Sequence, residues 1–286
     1  MKNNVYEMIT NRILEQLDKG IIPWRKDWRD AAISHTTGKG YRGINALLLD
    51  RPGEYATFAQ IKKEGGKVKK GAHGYPVVFY SMITIKDDSG EDKKIPWPTK
   101  YYTVFHLDDC EGIEPKHQQE RGPIATDDDA EAVIADYLSR SGVRMQHSEQ
   151  NRAFYHPLTD SVTLPLREQF NTSGGYYNTV FHELAHSTGH SKRLKRPGIS
   201  DTAAAFGSKT YSKEELVAEI GSAMVYSLLG MGTPEQLDNS TAYVQSWLQV
   251  LENDPKMVVT AANQAQRAAD LILDVKAPQY IDDAEA

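Results

Sequence analysis

The sequence holds a single cysteine, Cys110, among 286 residues. It can close no internal disulfide and has no Cys-x-x-Cys partner, so a disulfide framework and a cysteine-based zinc site are both excluded. Any metal must be held by His, Asp or Glu. Long apolar runs are missing as well, since no stretch approaches the roughly 18 consecutive apolar residues of a membrane span. The first residues, MKNNVYEMITNRILEQL, are amphipathic and lack the apolar block of a signal peptide, which gives the expectation of a cytoplasmic protein without a membrane partner. Internal repeats and low-complexity tracts are absent. What remains, 40% hydrophobic and 25% charged residues, is the composition of an ordinary globular chain long enough for two modest domains.

The net charge of −6 conceals an asymmetry. Residues 1–86 carry 15 Lys/Arg against 8 Asp/Glu, a local +7, whereas residues 121–286 carry 14 against 22, a local −8. Such a split suggests two domains with different partners, the basic one facing a polyanion. The chain reads as α+β in both halves. Val5, Ile9, Ile13 and Leu17 recur every four residues and predict a first helix, stopped by Gly20. Thr57 and Gln60 have capping-box spacing, with Phe58 and Ile61 as the apolar side of a short helix. Residues 77–85 and 101–107 are rich in β-branched and aromatic side chains and predict a long-looped hairpin. Pro, Gly, Gln and charge dominate residues 111–125, where a linker is expected, giving domains at 1–120 and 124–286. Beyond it the pattern predicts a helix from Thr126–Asp129, a strand pair at Arg152–His156 and Ser161–Leu164, and helices over roughly 175–188, 213–229 and 240–274, the last broken near Asn253–Pro255. The second domain is therefore expected to be mostly helical with a small sheet.

HELAH at 182–186 is the most informative pentapeptide. On a helix, His182 and His186 project from one face a turn apart and can hold one metal, with Glu183 beside the metal's open position. A metal of this kind polarises a scissile carbonyl and acidifies water, and Glu183 is the group placed to take that water's proton and return it to a leaving amine. A third ligand is needed. His190 continues the spacing but lies a further turn along a straight helix, and Lys192 occupies the place where HExxHxxGxxH enzymes carry their third histidine. The better source is KEELVAEIGSAMV, where Glu215 and Glu219 are four apart on one face. Glu215 is assigned as ligand and Glu219 as the carboxylate that orients a ligating histidine, with the exchanged roles left open because Ser212 and Glu215 also have capping-box spacing. The expected cofactor is one divalent metal ion, zinc or manganese. Segment 160–165 is expected to border the cleft and pair with an extended substrate, and Tyr176 and Tyr177 are candidate oxyanion donors or packing residues.

In the basic half, Trp24, Arg25, Lys26 and Trp28 interleave aromatics with cations, and Arg42 and Asn45 follow closely. Lys62, Lys63, Lys67, Lys69 and Lys70 surround a glycine-rich turn. Rings that stack on bases and cations that follow phosphates suit single-stranded DNA, with double-stranded DNA bound more weakly. A tryptophan here can equally anchor the core after the first helix, and the lysines can equally form a solvated face.

With PWRKDW, YRGINALLL and TFAQIKKEGGKVKKG followed by HELAHSTGH, RLKR and YSKEELVAEIGSAM, nearly the whole chain resembles the ArdC-type antirestriction proteins of conjugative plasmids. The resemblance implies an N-terminal single-stranded-DNA-binding domain, similar to the N-terminal part of certain conjugative primases, and a C-terminal zincin-like metallopeptidase domain. It further implies a protein that shields incoming plasmid DNA from restriction. The alternative is a DNA-tethered metallopeptidase with a protein substrate. A nuclease using the same metal suits this donor set less well.

Overall fold

The computed structural model describes residues 5–19, 21–24, 32–86, 92–117, 127–200, 209–231, 241–252, 254 and 256–276, and the structural statements that follow concern these residues. They fall into two compact units. The first holds residues 5–13 and 32–117, the second residues 14–24 and 127–276, so helix α1 (Val5–Asp18) begins in one and ends in the other. Ile9, Ile13 and Leu17 on its apolar stripe are fully buried. Both units mix helices and sheet, and the chain is α+β. No helix among the described residues is long and apolar enough to cross a membrane.

The first unit carries β1 (Ala32–Ser34), α2 (Ile44–Leu48), β2 (Gly53–Thr57), α3 (Phe58–Lys63), β3 (Lys67–Val68), β4 (Tyr75–Lys86), β5 (Asp92–His106) and β6 (Cys110–Glu111). Its four-stranded sheet runs β1-β2-β5-β4, with β1 and β2 parallel and the other pairs antiparallel; β3 and β6 form a separate antiparallel pair. Alternation along β2 sends Tyr55 to one face, against Leu49, Tyr75, Val77 and Val104, and Ala56 to the other, against Ile61, Leu107, Cys110 and Ile113. The expected capping box is present: Gln60 N donates to Thr57 Oγ1 at 3.3 Å and Thr57 N donates to Gln60 Oε1 at 2.8 Å. Strand β5 starts well before residue 101. Its first half, rich in Lys and Pro, is a poor strand former, and pairing with β4 down to Lys86↔Asp92 overrides that preference, with a register shift at Phe79/Tyr80 taking up the irregularity beside Pro98.

Asn45, expected to face nucleic acid, does something else. Its Nδ2 donates to Val78 O at 2.9 Å and its Oδ1 accepts from Val78 N at 2.7 Å. Strand β4 is an edge, and the amide stands in there for a missing neighbour strand. This correction follows from satisfaction of edge backbone groups, which no composition pattern reveals.

The second unit carries α4 (Asp127–Ser141), β7 (Arg144–Ser148), β8 (Phe154–His156), β9 (Ser161–Pro165), α5 (Ser173–Thr188), α6 (Pro197–Ser200), α7 (Lys209–Leu229), α8 (Thr241–Glu252) and α9 (Met257–Ile272). Helices α5, α7 and α9 pack together, and buried Ala261, Ala262, Ala265, Ala268 and Ala269 let α9 approach closely. The sheet order is β7-β9-β8, with β9 parallel to β7 and antiparallel to β8. Segment 161–165 is thus the central strand with both edges already paired, so it cannot pair with a substrate as expected; β8 and β7 are the edges.

Asp160 ties this sheet to the helices. Its carboxylate accepts from both terminal nitrogens of Arg193 and from the Tyr155 hydroxyl, while Arg193 also donates to Ser187 O at 2.8 Å and Ser141 O at 3.2 Å. Burial alone would raise the Asp160 pKa, but the Arg193 and Tyr155 hydrogen bonds hold it below the ordinary carboxylate value. A carboxylate with a depressed folded-state pKa contributes stability that is complete above its unfolded value of about 3.9 and is lost as pH falls through the folded value. Asp160→Asn tolerates the same positive φ of 48° and removes only the charge. It is expected to cost about 2 kcal/mol at pH 7. The gap from wild type should narrow in urea unfolding as the pH falls below about 4, and a gap independent of pH would rule out the charged pair.

Candidate functional site

Helix α5 starts at a Thr172 cap, whose Oγ1 accepts from Gly175 N at 3.0 Å, and continues unbroken through HELAH. Helical spacing therefore brings His182 and His186 to one face, with their Nε2 atoms 3.1 Å apart. Glu215 reaches them from α7, with Oε2 3.6 Å from His182 Nε2 and Oε1 3.5 Å from His186 Nε2. These three side chains form the one group among the described residues whose donor atoms converge as a metal site requires. Helix α7 begins at Lys209, so Ser212 lies inside it, and the capping-box alternative for Glu215 falls away.

Several contacts seat α7 against α5. Ser222 Oγ donates to Asn178 Oδ1 at 2.9 Å, the Tyr226 hydroxyl donates to Gly174 O at 2.6 Å, and a Cβ at Gly221 would lie 3.4 Å from Ala185 Cβ.

Behind His186 the orienting carboxylate is Glu214, which the sequence pattern did not single out beside Glu219. Glu214 Oε1 lies 3.3 Å from His186 Nδ1 and is buried, and Arg196 donates to both its oxygens, at 2.6 and 2.8 Å. Arg196 also donates to Thr188 Oγ1 and Ala185 O, each at 2.7 Å, so one guanidinium closes the end of α5 and fixes the acid beside it. Gly189 makes room: a Cβ there would lie 2.9 Å from Arg196 Nη2. The adjacent pair Glu214-Glu215 and the arginine of RLKR were the available signals. Glu219 stays close enough for its charge to act on His182.

The electrostatics favour a cation. Burial would lower the His182 pKa, but the hydrogen bond to Glu215 and the charges of Glu183, Glu219 and Glu215 push it up to about 9. Glu214 is moved the other way: burial alone would raise its pKa, and the Arg196 and His186 contacts hold it below the ordinary carboxylate value. Glu183 is buried and accepts no hydrogen bond from a described residue. Tyr176 and Tyr177 are buried, the first bonded to His147 Nε2 at 3.0 Å and the second donating to Glu131 at 2.9 Å, so both are packing residues. His190 stands 4.0 Å from Asp160, outside the converging group.

Of the expected nucleic-acid residues, Arg25, Lys26 and Trp28 lie outside the described residues. Trp24 is buried, 4% exposed, with its ring edge-on to Trp247 at 6.2 Å in the second unit. It is a core residue, and the assignment as a stacking residue is corrected: a bulky ring next to the end of α1 gains more from burial than from solvent. Trp24→Ala is expected to cost about 3–4 kcal/mol in unfolding experiments without changing the DNA affinity of the folded protein. Arg42 is half-buried, Lys69 donates to Asp108 O at 2.8 Å, and Lys62, Lys63, Lys67 and Lys70 are exposed.

Two family models divide the chain between them. Residues 3–105 match the N-terminal domain of anti-restriction factor ArdC, and residues 130–264 match a zincin-like metallopeptidase. The metal-free crystal structure of antirestriction ArdC from plasmid R388 superposes with a TM-score of 0.72 at 36% identity, covering 95% of this chain and 97% of that one. The chain belongs to the ArdC family of antirestriction proteins. The Mn(II)-bound structure of R388 ArdC gives a TM-score of 0.73 at 34% identity, with coverage of 96% and 99%. Two relatives outside the solved ArdC structures add context. A DNA primase TraC of Escherichia coli is 34% identical over 301 residues, but this chain spans only 27% of that primase's length. Uncharacterized protein y4eC of Sinorhizobium fredii is 29% identical, with 93% of this chain and 91% of that protein aligned. The ArdC domain order accounts for the two units and for the placement of HELAH in the second.

Proposed function

We propose that the protein is an antirestriction factor that binds incoming single-stranded plasmid DNA through its first unit and protects it from host restriction during conjugation. In the same reading the second unit holds one divalent cation, zinc or manganese, through His182, His186 and Glu215. The donor triangle carries this part. Tetrahedral ligands about 2.05 Å from a shared ion lie about 3.3 Å apart, and adjacent octahedral ligands at about 2.2 Å lie about 3.1 Å apart. The observed separations of 3.1, 3.5 and 3.6 Å bracket both, so the residues fit a cation of either geometry. A cation bound there supplies Lewis acidity toward a carbonyl and toward water. The rest falls to the chain: Glu214 and Arg196 hold His186 in the tautomer that leaves Nε2 free, and Glu183 receives a proton and gives it up again to a departing amine.

A DNA-tethered metallopeptidase is the second reading, favoured by the buried Glu183 carboxylate, which a pure scaffold does not need. Plasmid establishment by conjugation, compared between restricting and non-restricting recipients, separates the two. Protection retained by Glu183→Ala but lost when Lys62, Lys63, Lys67 and Lys70 become alanine supports DNA shielding; protection lost with Glu183→Ala in folded, metal-loaded protein supports the peptidase.

A further inference from the structure

Phe58 opens α3 and is 58% exposed, although its spacing from Ile61 puts it on the apolar side of that helix. Ile61 is buried and Phe58 is not. The helix start is already secured by Thr57 and Gln60, so nothing local requires an aromatic ring in solvent. A second ring stands nearby on the same face of the sheet. Along β5, Phe105 packs beneath Ala56 and Ile61, and Thr103 and Tyr101 follow on that face, both exposed. Because Thr57 pairs with Val104, Phe58 leaves β2 at the level of Thr103, and Tyr101 lies two residues further, about 7 Å along the strand.

Cations follow Phe58 along the chain. Lys62 is four residues beyond Phe58 and so neighbours it on α3, followed by Lys63, by Lys67 on β3 and by Lys70 in the next turn. All four are exposed, and their ammonium groups make no hydrogen bond or ion pair with a described residue. The acidic neighbours include Glu64, which accepts from Lys116 at 2.5 Å and from His35 at 3.1 Å, Glu111, opposite Lys67, and Asp108 and Asp109, whose backbone carbonyls accept from Lys69 and of which Asp109 is paired with Arg51. A cluster of unengaged ammonium groups selects a polyanion, and exposed rings beside it select one whose base faces are open.

We propose that Phe58 and Tyr101 are base-stacking residues of the first unit, and that Lys62, Lys63, Lys67 and Lys70 hold the phosphates of the same single-stranded nucleic acid. The proposal rests on the DNA-binding reading above and gives it a place in the fold. The full-length protein is titrated with labelled single-stranded and double-stranded oligonucleotides at two salt concentrations. Phe58→Ala and Tyr101→Ala should each weaken single-strand binding about tenfold, leaving double-strand affinity and melting temperature unchanged, while Phe58→Trp retains binding. Lys62→Ala with Lys63→Ala should weaken both forms and flatten the salt dependence. Leu158→Ala, an exposed apolar side chain of the second unit, should change nothing. Wild-type protein that binds no single strand sinks the underlying reading. Wild-type protein that prefers single strands while Phe58→Ala and Tyr101→Ala bind as well as it does, or lose both DNA forms equally, overturns the platform alone.

Discussion

Arg196→Ala is expected to lower the unfolding free energy of the second unit by about 3–5 kcal/mol, the usual cost of leaving one partner of a buried ion pair behind. Arg196 and Glu214 are 3% and 4% exposed, so water cannot replace the lost guanidinium. The substitution also strips donors from Thr188 and from the Ala185 carbonyl at the end of α5. Arg196→Lys should recover only part of the loss, because an ammonium cannot reach both Glu214 oxygens and the end of the helix with the planar fork these contacts use. Urea unfolding followed by tryptophan fluorescence measures the effect. An Arg196→Ala midpoint equal to wild type would mean that Glu214 is not held as a charged group. Glu214→Gln leaves the Arg196 charge buried without its partner and should cost a similar amount, and in protein that still folds it should reduce metal affinity about 10- to 100-fold, the usual effect of losing the acceptor behind a ligating imidazole.

His182→Ala is expected to bring the metal content of dialysed protein from one ion per chain to near none, since two remaining donors cannot hold a divalent ion against water. Glu215→Gln should do nearly the same, while Glu219→Gln keeps its ion. Elemental analysis decides between them, and the opposite outcome for the two glutamates would exchange their roles. Glu183→Gln should retain both ion and melting temperature while abolishing any amide hydrolysis the second reading implies, because only a proton-transfer group is removed.

The parts of this molecule legible in the sequence are those set by local spacing. His182 and His186 had to share a helical face, Thr57 and Gln60 had to meet across one turn, and the residues of α1 had to bury every fourth side chain. Where tertiary pairing decides, pattern was silent or misleading. The first half of β5 is a strand because β4 supplies its partners, and Asn45 serves an edge that exists only once the sheet has formed. Trp24 and Phe58 exchanged their expected environments for the same reason: which ring finds cover depends on what arrives from far along the chain, Trp247 for one and, among the described residues, too little to bury the other. Glu214 could not be told from Glu219 without knowing that Arg196 folds back over the end of α5.

Glu214 and Glu215 are consecutive on α7, about 100° apart around its axis. One faces Arg196 and the back of His186, the other the open triangle. A twist of α7 by a single residue would bring Glu214 to the triangle in place of Glu215, so a centre built on the proposed ligands reports the rotational setting of an entire helix. That setting is held a turn or more away by Ser222 on Asn178 and Tyr226 on Gly174. Ion affinity in this protein is therefore a sensitive gauge of core packing, and substitutions far from any donor atom should register first as weakened metal retention, before the fold itself gives way.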